Sequence, residues 1–86
     1  MISISNFYEN LVIDQIGRTC EARQLNLDYD ATQDIACLAL NQLPPRYIRH
    51  TIDTIFYIPD EERASIDNAV ADAVSNAIDK VTDNPR

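Results

Sequence analysis

The chain has 86 residues, with fourteen acidic side chains against seven basic ones and a net charge of -7. That balance argues against a nucleic-acid polymer as partner, since such binding is driven by Lys and Arg neutralising many phosphates. No apolar stretch approaches the ~20 residues of a membrane-spanning helix, and no basic segment followed by an apolar run marks a signal peptide. A single cytoplasmic domain over residues 1–86 is therefore the expectation, with no membrane association. Such a chain buries roughly 60–65% of its unfolded surface, which leaves a lone protomer marginal.

One glycine in the whole chain, with abundant Ala, Leu and Ile, predicts an all-α fold. A first helix is expected near Asn6, with Asn6 as its cap and Glu9 in the reciprocal position. Tyr8, Leu11, Val12 and Ile16 form its apolar stripe. Gly17 either ends this helix or weakens it, and the polar stretch Arg18 to Arg23 could add a turn.

Asn26 to Tyr29 reads as a loop, and Asp30 as the cap of a second helix with Gln33 three residues on. From Ile35 to Leu43 nearly every residue is apolar. A helix apolar all round is buried on all sides, which requires central placement or a second subunit. Cys37 lies in this run and reads as a buried thiol acting as a small hydrophobe. Cys20 and Cys37 are too few for a disulfide scaffold and fit no zinc spacing.

The second helix is expected to stop at Leu43-Pro44-Pro45, because proline lacks a donor and pushes its predecessor out of helical geometry. Arg46 to Ile58 reads as a short helix or turn followed by an extended piece to Pro59. Asp60 then caps a last helix of about 20 residues, whose first turn carries Glu61 and Glu62. Its stripe is Ile66, Ala69, Val70, Ala73, Val74, Ala77, Ile78 and Val81. Asn68, Asp72, Ser75, Asp79 and Asp83 take the opposite face, and Asn84-Pro85 ends it. Three to five helices in an intertwined or bundle-like homodimer is the expected architecture.

The proline corner carries the chemistry. No acidic residue lies between Asp34 and Asp53, while Arg46, Arg49 and His50 follow the prolines. Six of the seven basic residues are Arg, which makes bidentate contacts to phosphates and purine edges. Two readings stand side by side. In one, Tyr47 packs on the core while Arg46 and Arg49 pair with surface carboxylates. In the other, Arg46 and Arg49 grip phosphates or guanine edges, and Tyr47 stacks on a base. Asn41 then supplies a donor and an acceptor. Asp34, two turns earlier on the same face, accepts from a guanine N–H.

No catalytic constellation is present. There is no nucleophile elbow and no glycine-rich phosphate loop, and His50 has no nucleophile assigned to it. Asp28, Asp30 and Asp34 lack the glycine and distal glutamate of a calcium loop, so capping and solvation explain them. Neither a catalytic residue nor a metal site is expected.

The run Asp34-Ile35-Ala36-Cys37-Leu38-Ala39-Leu40-Asn41-Gln42-Leu43-Pro44-Pro45-Arg46-Tyr47 resembles the signature of the late competence development protein ComFB family. Its Asp, Asn-x-Leu-Pro-Pro and Tyr stand in the family's order, and the late Ala/Val-rich helix closing on Asn84-Pro85-Arg86 is also similar. The resemblance implies an all-α homodimer that acts as a receptor for cyclic di-GMP or cyclic di-AMP, in competence, type IV pili, motility or cell-size control. Some relatives bind zinc through clustered cysteines before the second helix; Leu25 to Thr32 has none, so zinc is not carried over. Arginine's fit to guanine O6 and N7 favours cyclic di-GMP over cyclic di-AMP. The expected contacts are Arg46, Arg49, Tyr47, Asn41 and Asp34, with no cofactor besides the ligand and with a downstream protein partner. The alternatives are a ligand-free adaptor in a competence or pilus pathway, and a small phosphodiesterase.

Overall fold

The computed structural model describes residues 5–45, 47–48 and 58–83, with the backbone alone for Ser5, Tyr47 and Ile48. Its elements in chain order are β1 (Ser5–Asn6), α1 (Tyr8–Arg23), α2 (Tyr29–Gln42), β2 (Tyr47–Ile48) and α3 (Asp60–Asp83). Three helices thus hold most of the described residues. The two strands form one antiparallel ladder, Ser5 opposite Ile48 and Asn6 opposite Tyr47. At two residues each, it is a tether rather than a layer.

The helix boundaries follow from local hydrogen bonding. Tyr8 N–H donates to Asn6 Oδ1 at 3.1 Å. Asn6 is therefore an Asx turn ahead of α1, and the cap position falls on Phe7, one residue later than expected. Gly17 does not end α1. The helix runs six residues further, to Arg23, and its cap Gln24 adopts the left-handed φ of 55°. Gln24 N–H donates to Glu21 O at 3.2 Å and Leu25 N–H to Cys20 O at 2.8 Å, the paired bonds of a Schellman ending without its usual glycine.

α2 is capped by Asp28 rather than Asp30. The Asp28 carboxylate accepts from Ala31 N–H at 2.8 Å, and its carbonyl accepts from Thr32 N–H at 3.0 Å. Asp30 falls in the first turn, where a carboxylate faces the positive end of the dipole. At the other end Leu43 is extended, φ −99° and ψ 140°, as the proline after it requires. Tyr47–Ile48 is extended, not a helical turn; of the expected segment Arg46 to Ile58, residues 46 and 49–57 lie outside the described residues. α3 begins at Asp60, and Arg63 N–H donates to Pro59 O at 2.9 Å, so Asp60 lies in the first turn rather than at the cap position expected of it.

One core joins the three helices. α1 contributes Tyr8, Val12 and Ile16, α2 contributes Ile35 and Ala39, and α3 contributes Ile66, Val70, Ala73, Val74, Ala77 and Ile78. Phe7 and Leu43 close it at the helix ends, and the Phe7 and Tyr8 rings meet edge to face with centroids 5.5 Å apart. Ile35, Ile78, Val12 and Val74 are its largest fully enclosed side chains. The expected stripes of α1 and α3 therefore face the core, except that Ala69 is exposed and that Leu11 and Val81 are half-buried.

α1 and α3 run in the same sense. Phe7 and Leu11 share a small cavity of about 130 Å³ with Ile58 and Ile66 at their starts. At their ends Arg23 donates to Asp79 Oδ1 at 2.8 Å and to Ser75 Oγ at 2.6 Å. α2 runs the opposite way, its start lying beside the end of α3.

Candidate functional site

α2 is the element that carries the predicted site, and it is only partly covered. Ile35, Ala39 and Leu43, spaced by four, point into the core. Ala36, Leu38 and Leu40 are half-buried against it, and Cys37 is exposed. The helix is therefore not buried all round, and the expectation of a buried Cys37 thiol is wrong for this chain. The apolar run contains more hydrophobic side chains than one stripe can turn inward, so some occupy the flanks.

The uncovered side of α2 forms one wall of a groove of about 750 Å³. Asp30, Asp34, Cys37 and Asn41, at i, i+4, i+7 and i+11, stand along that wall with Leu38 below them. Lys80, Val81 and Thr82 from the last turn of α3 form the opposing side, and Leu27, Asp28 and Ala31 line the groove too. Thr82 is held in place by its hydroxyl, which donates to Ile78 O at 2.8 Å. Leu27, Ala31, Leu38 and Val81 are half-buried, so apolar surface lies along the groove between exposed polar side chains.

The groove brings Asp34 and Asn41 together on one wall. Asp34 is half-buried and Asn41 exposed. From Asn41 that wall leads to Leu43-Pro44-Pro45, which leaves the helix with both prolines exposed. Arg46 and Arg49 lie outside the described residues. Of Tyr47, the backbone is paired with Asn6, which returns the chain from the prolines to the start of α1.

The described lining of the groove is acidic, and the expected basic corner of Arg46, Arg49 and His50 lies outside the described residues. Among the described residues the groove's lining holds the carboxylates of Asp28, Asp30 and Asp34 and the ammonium of Lys80. As described, it is suited to groups that donate hydrogen bonds or carry positive charge, and an anionic group would need cations from elsewhere. Sequence reasoning assigned Asp28 and Asp30 to capping and solvation and left out the α3 wall. The signal for Lys80 and Thr82 was available only once the end of α3 was known to lie against the start of α2. Among the described residues, no group of three or more His, Cys, Asp or Glu side chains is placed to hold a metal ion.

No curated protein matches the sequence. Residues 5–85, nearly the whole chain, match the family described as late competence development protein ComFB, and the chain belongs to that family.

Proposed function

We propose that this protein is a cyclic-dinucleotide receptor, favouring cyclic di-GMP over cyclic di-AMP, that works as a cytoplasmic homodimer in a competence, pilus, motility or cell-size pathway. It binds its ligand and passes the signal to a protein partner, with no catalysis. Family membership supports a role in competence. The observation that carries the ligand reading is the shared wall of Asp34 and Asn41 leading into a proline-stiffened exit. In this reading a guanine edge donates N–H groups to Asp34 and Asn41, and Arg46 and Arg49 supply the positive charge for the phosphates. Tyr47 stacks on a base. Two prolines limit the ordering cost of the groups that follow them.

The second subunit fits the other flank of α2. Tyr29 is 76% exposed, and Ala36 and Leu40, at i+7 and i+11 from it, are half-buried. A twofold seam there would cover them and leave the groove open.

Calorimetric titration of purified protein with each dinucleotide tests the receptor reading. Micromolar or tighter binding of cyclic di-GMP, weakened by Asn41→Ala and Arg46→Ala, is expected. No heat with either dinucleotide at protein concentrations well above micromolar would overturn it. Intact dinucleotide after long incubation is expected of a receptor, and its cleavage would replace this reading with the phosphodiesterase.

A further inference from the structure

The groove has a composition that a small anionic ligand does not explain. It is long: from Asp28 to Asn41 the wall rises about 20 Å at 1.5 Å per residue. Half-buried Leu27, Ala31, Leu38 and Val81 offer apolar contact, with exposed Asp28 and Asp30 beside them and Lys80 as the opposing cation among the described lining residues. The chain around it has a net charge of -7. A volume of about 750 Å³ is large for an 86-residue chain.

We propose that this groove docks a basic amphipathic helix of a partner protein. Leu or Ile side chains of the partner, at i, i+3 and i+7, pack along Leu27, Ala31, Leu38 and Val81, which is the helix-in-groove mode of recognition. Lys or Arg side chains beside that stripe meet Asp28 and Asp30. The complementary charge orients the partner and speeds its encounter, and rejects acidic helices of the same hydrophobicity. The outward half of the groove, at Asp28 and Asp30, is about four turns from the proline corner, so this occupant needs nothing from Arg46 or Arg49.

The probe is a synthetic Leu/Lys amphipathic peptide of about 18 residues, five helical turns, with a Leu/Glu peptide of the same pattern as control. No dinucleotide is present, so failure here leaves the receptor reading untouched, and failure of that reading leaves this one. The Leu/Lys peptide is expected to bind one to one, with amide shifts confined to residues 27–41 and 80–82, and the Leu/Glu peptide not to bind. Asp30→Lys is expected to weaken the peptide about fivefold, the upper range for one exposed charge contact. Asp72→Lys makes the same charge change on the opposite face of α3 and is expected to leave affinity within about twofold. Lys80→Glu is expected to tighten binding about fivefold, a gain that a misfolded variant cannot produce. Equal weakening by Asp30→Lys and Asp72→Lys would reduce the effect to net charge and overturn the proposal. So would shifts spread beyond the groove, or no binding of the Leu/Lys peptide.

Discussion

α2 and α3 lie against each other in the same core but use their sequences differently. α3 alternates strictly: its buried side chains recur every three or four residues and carboxylates and amides hold the outer face. α2 is apolar over most of its second half, yet a single row, Ile35, Ala39 and Leu43, is enclosed. Apolarity in excess of what the fold encloses marks a surface with another use, and here that surface is one wall of the groove between α2 and the end of α3. The contrast separates two kinds of hydrophobic residue. Those in phase with the core hold the fold, and those out of phase are available for binding.

The contrast breaks if residues in phase with the core turn out to be dispensable. Ile78 on α3 and Ile35 on α2 are both fully buried. Truncating either to Ala removes its transfer energy and leaves a cavity, a cost of about 2–5 kcal/mol. At about 4–8 °C per kcal/mol for a domain of this size, the melting midpoint is expected to fall by 10 °C or more in a thermal scan. Leu38→Ala, in the groove, is expected to cost visibly less, since its side chain is half-exposed before folding is disturbed.

Next in size come two backbone effects, one at the start of α2 and one within α1. Asp28→Ala removes the bond to Ala31 N–H and is expected to cost about 1 kcal/mol in urea unfolding, whereas Asp30→Ala costs a few tenths. The opposite result would return the cap to Asp30. Gly17→Ala is expected to stabilise by about 0.8–1 kcal/mol. It lies mid-helix in α1, and an added Cβ there meets nothing within 4 Å. A loss of stability instead would mean that another chain approaches α1 closely at that point.

These cases show which parts of the molecule were legible in the sequence. The amphipathic period of α1 and α3 and the stop at Leu43-Pro44-Pro45 were readable because each is fixed by local sterics or by a periodic choice of polarity. Cap positions slipped by one or two residues. Asn6, Asp28 and Asp30 all have capping side chains, and the winner depends on which neighbouring N–H the folded chain presents. α2 misled because an unbroken apolar run carries no phase: nothing in Ile35 to Leu43 says which row faces inward. For the site, the pairing of Asp34 with Asn41 followed from helical spacing alone. Lys80 and Thr82 did not, because their place opposite α2 is set by tertiary packing between segments about 40 residues apart.

The smallest effect tests the assignment of α2's outer face. Cys37 lies within the apolar run, and a buried thiol there would lose contacts on conversion to Ser and leave a hydroxyl to be desolvated, at about 1–3 kcal/mol. In this structure the side chain is exposed on the groove wall, so Cys37→Ser is expected to change stability by no more than about 0.5 kcal/mol. The native thiol is expected to react with an aromatic disulfide reagent at nearly the rate of a free peptide thiol, and half-buried Cys20 more slowly. Protection of Cys37 that grows with protein concentration would move the seam between subunits from the Tyr29–Leu40 flank onto the groove itself. A basic amphipathic peptide protecting Cys37 at fixed protein concentration would instead identify that wall as its docking surface.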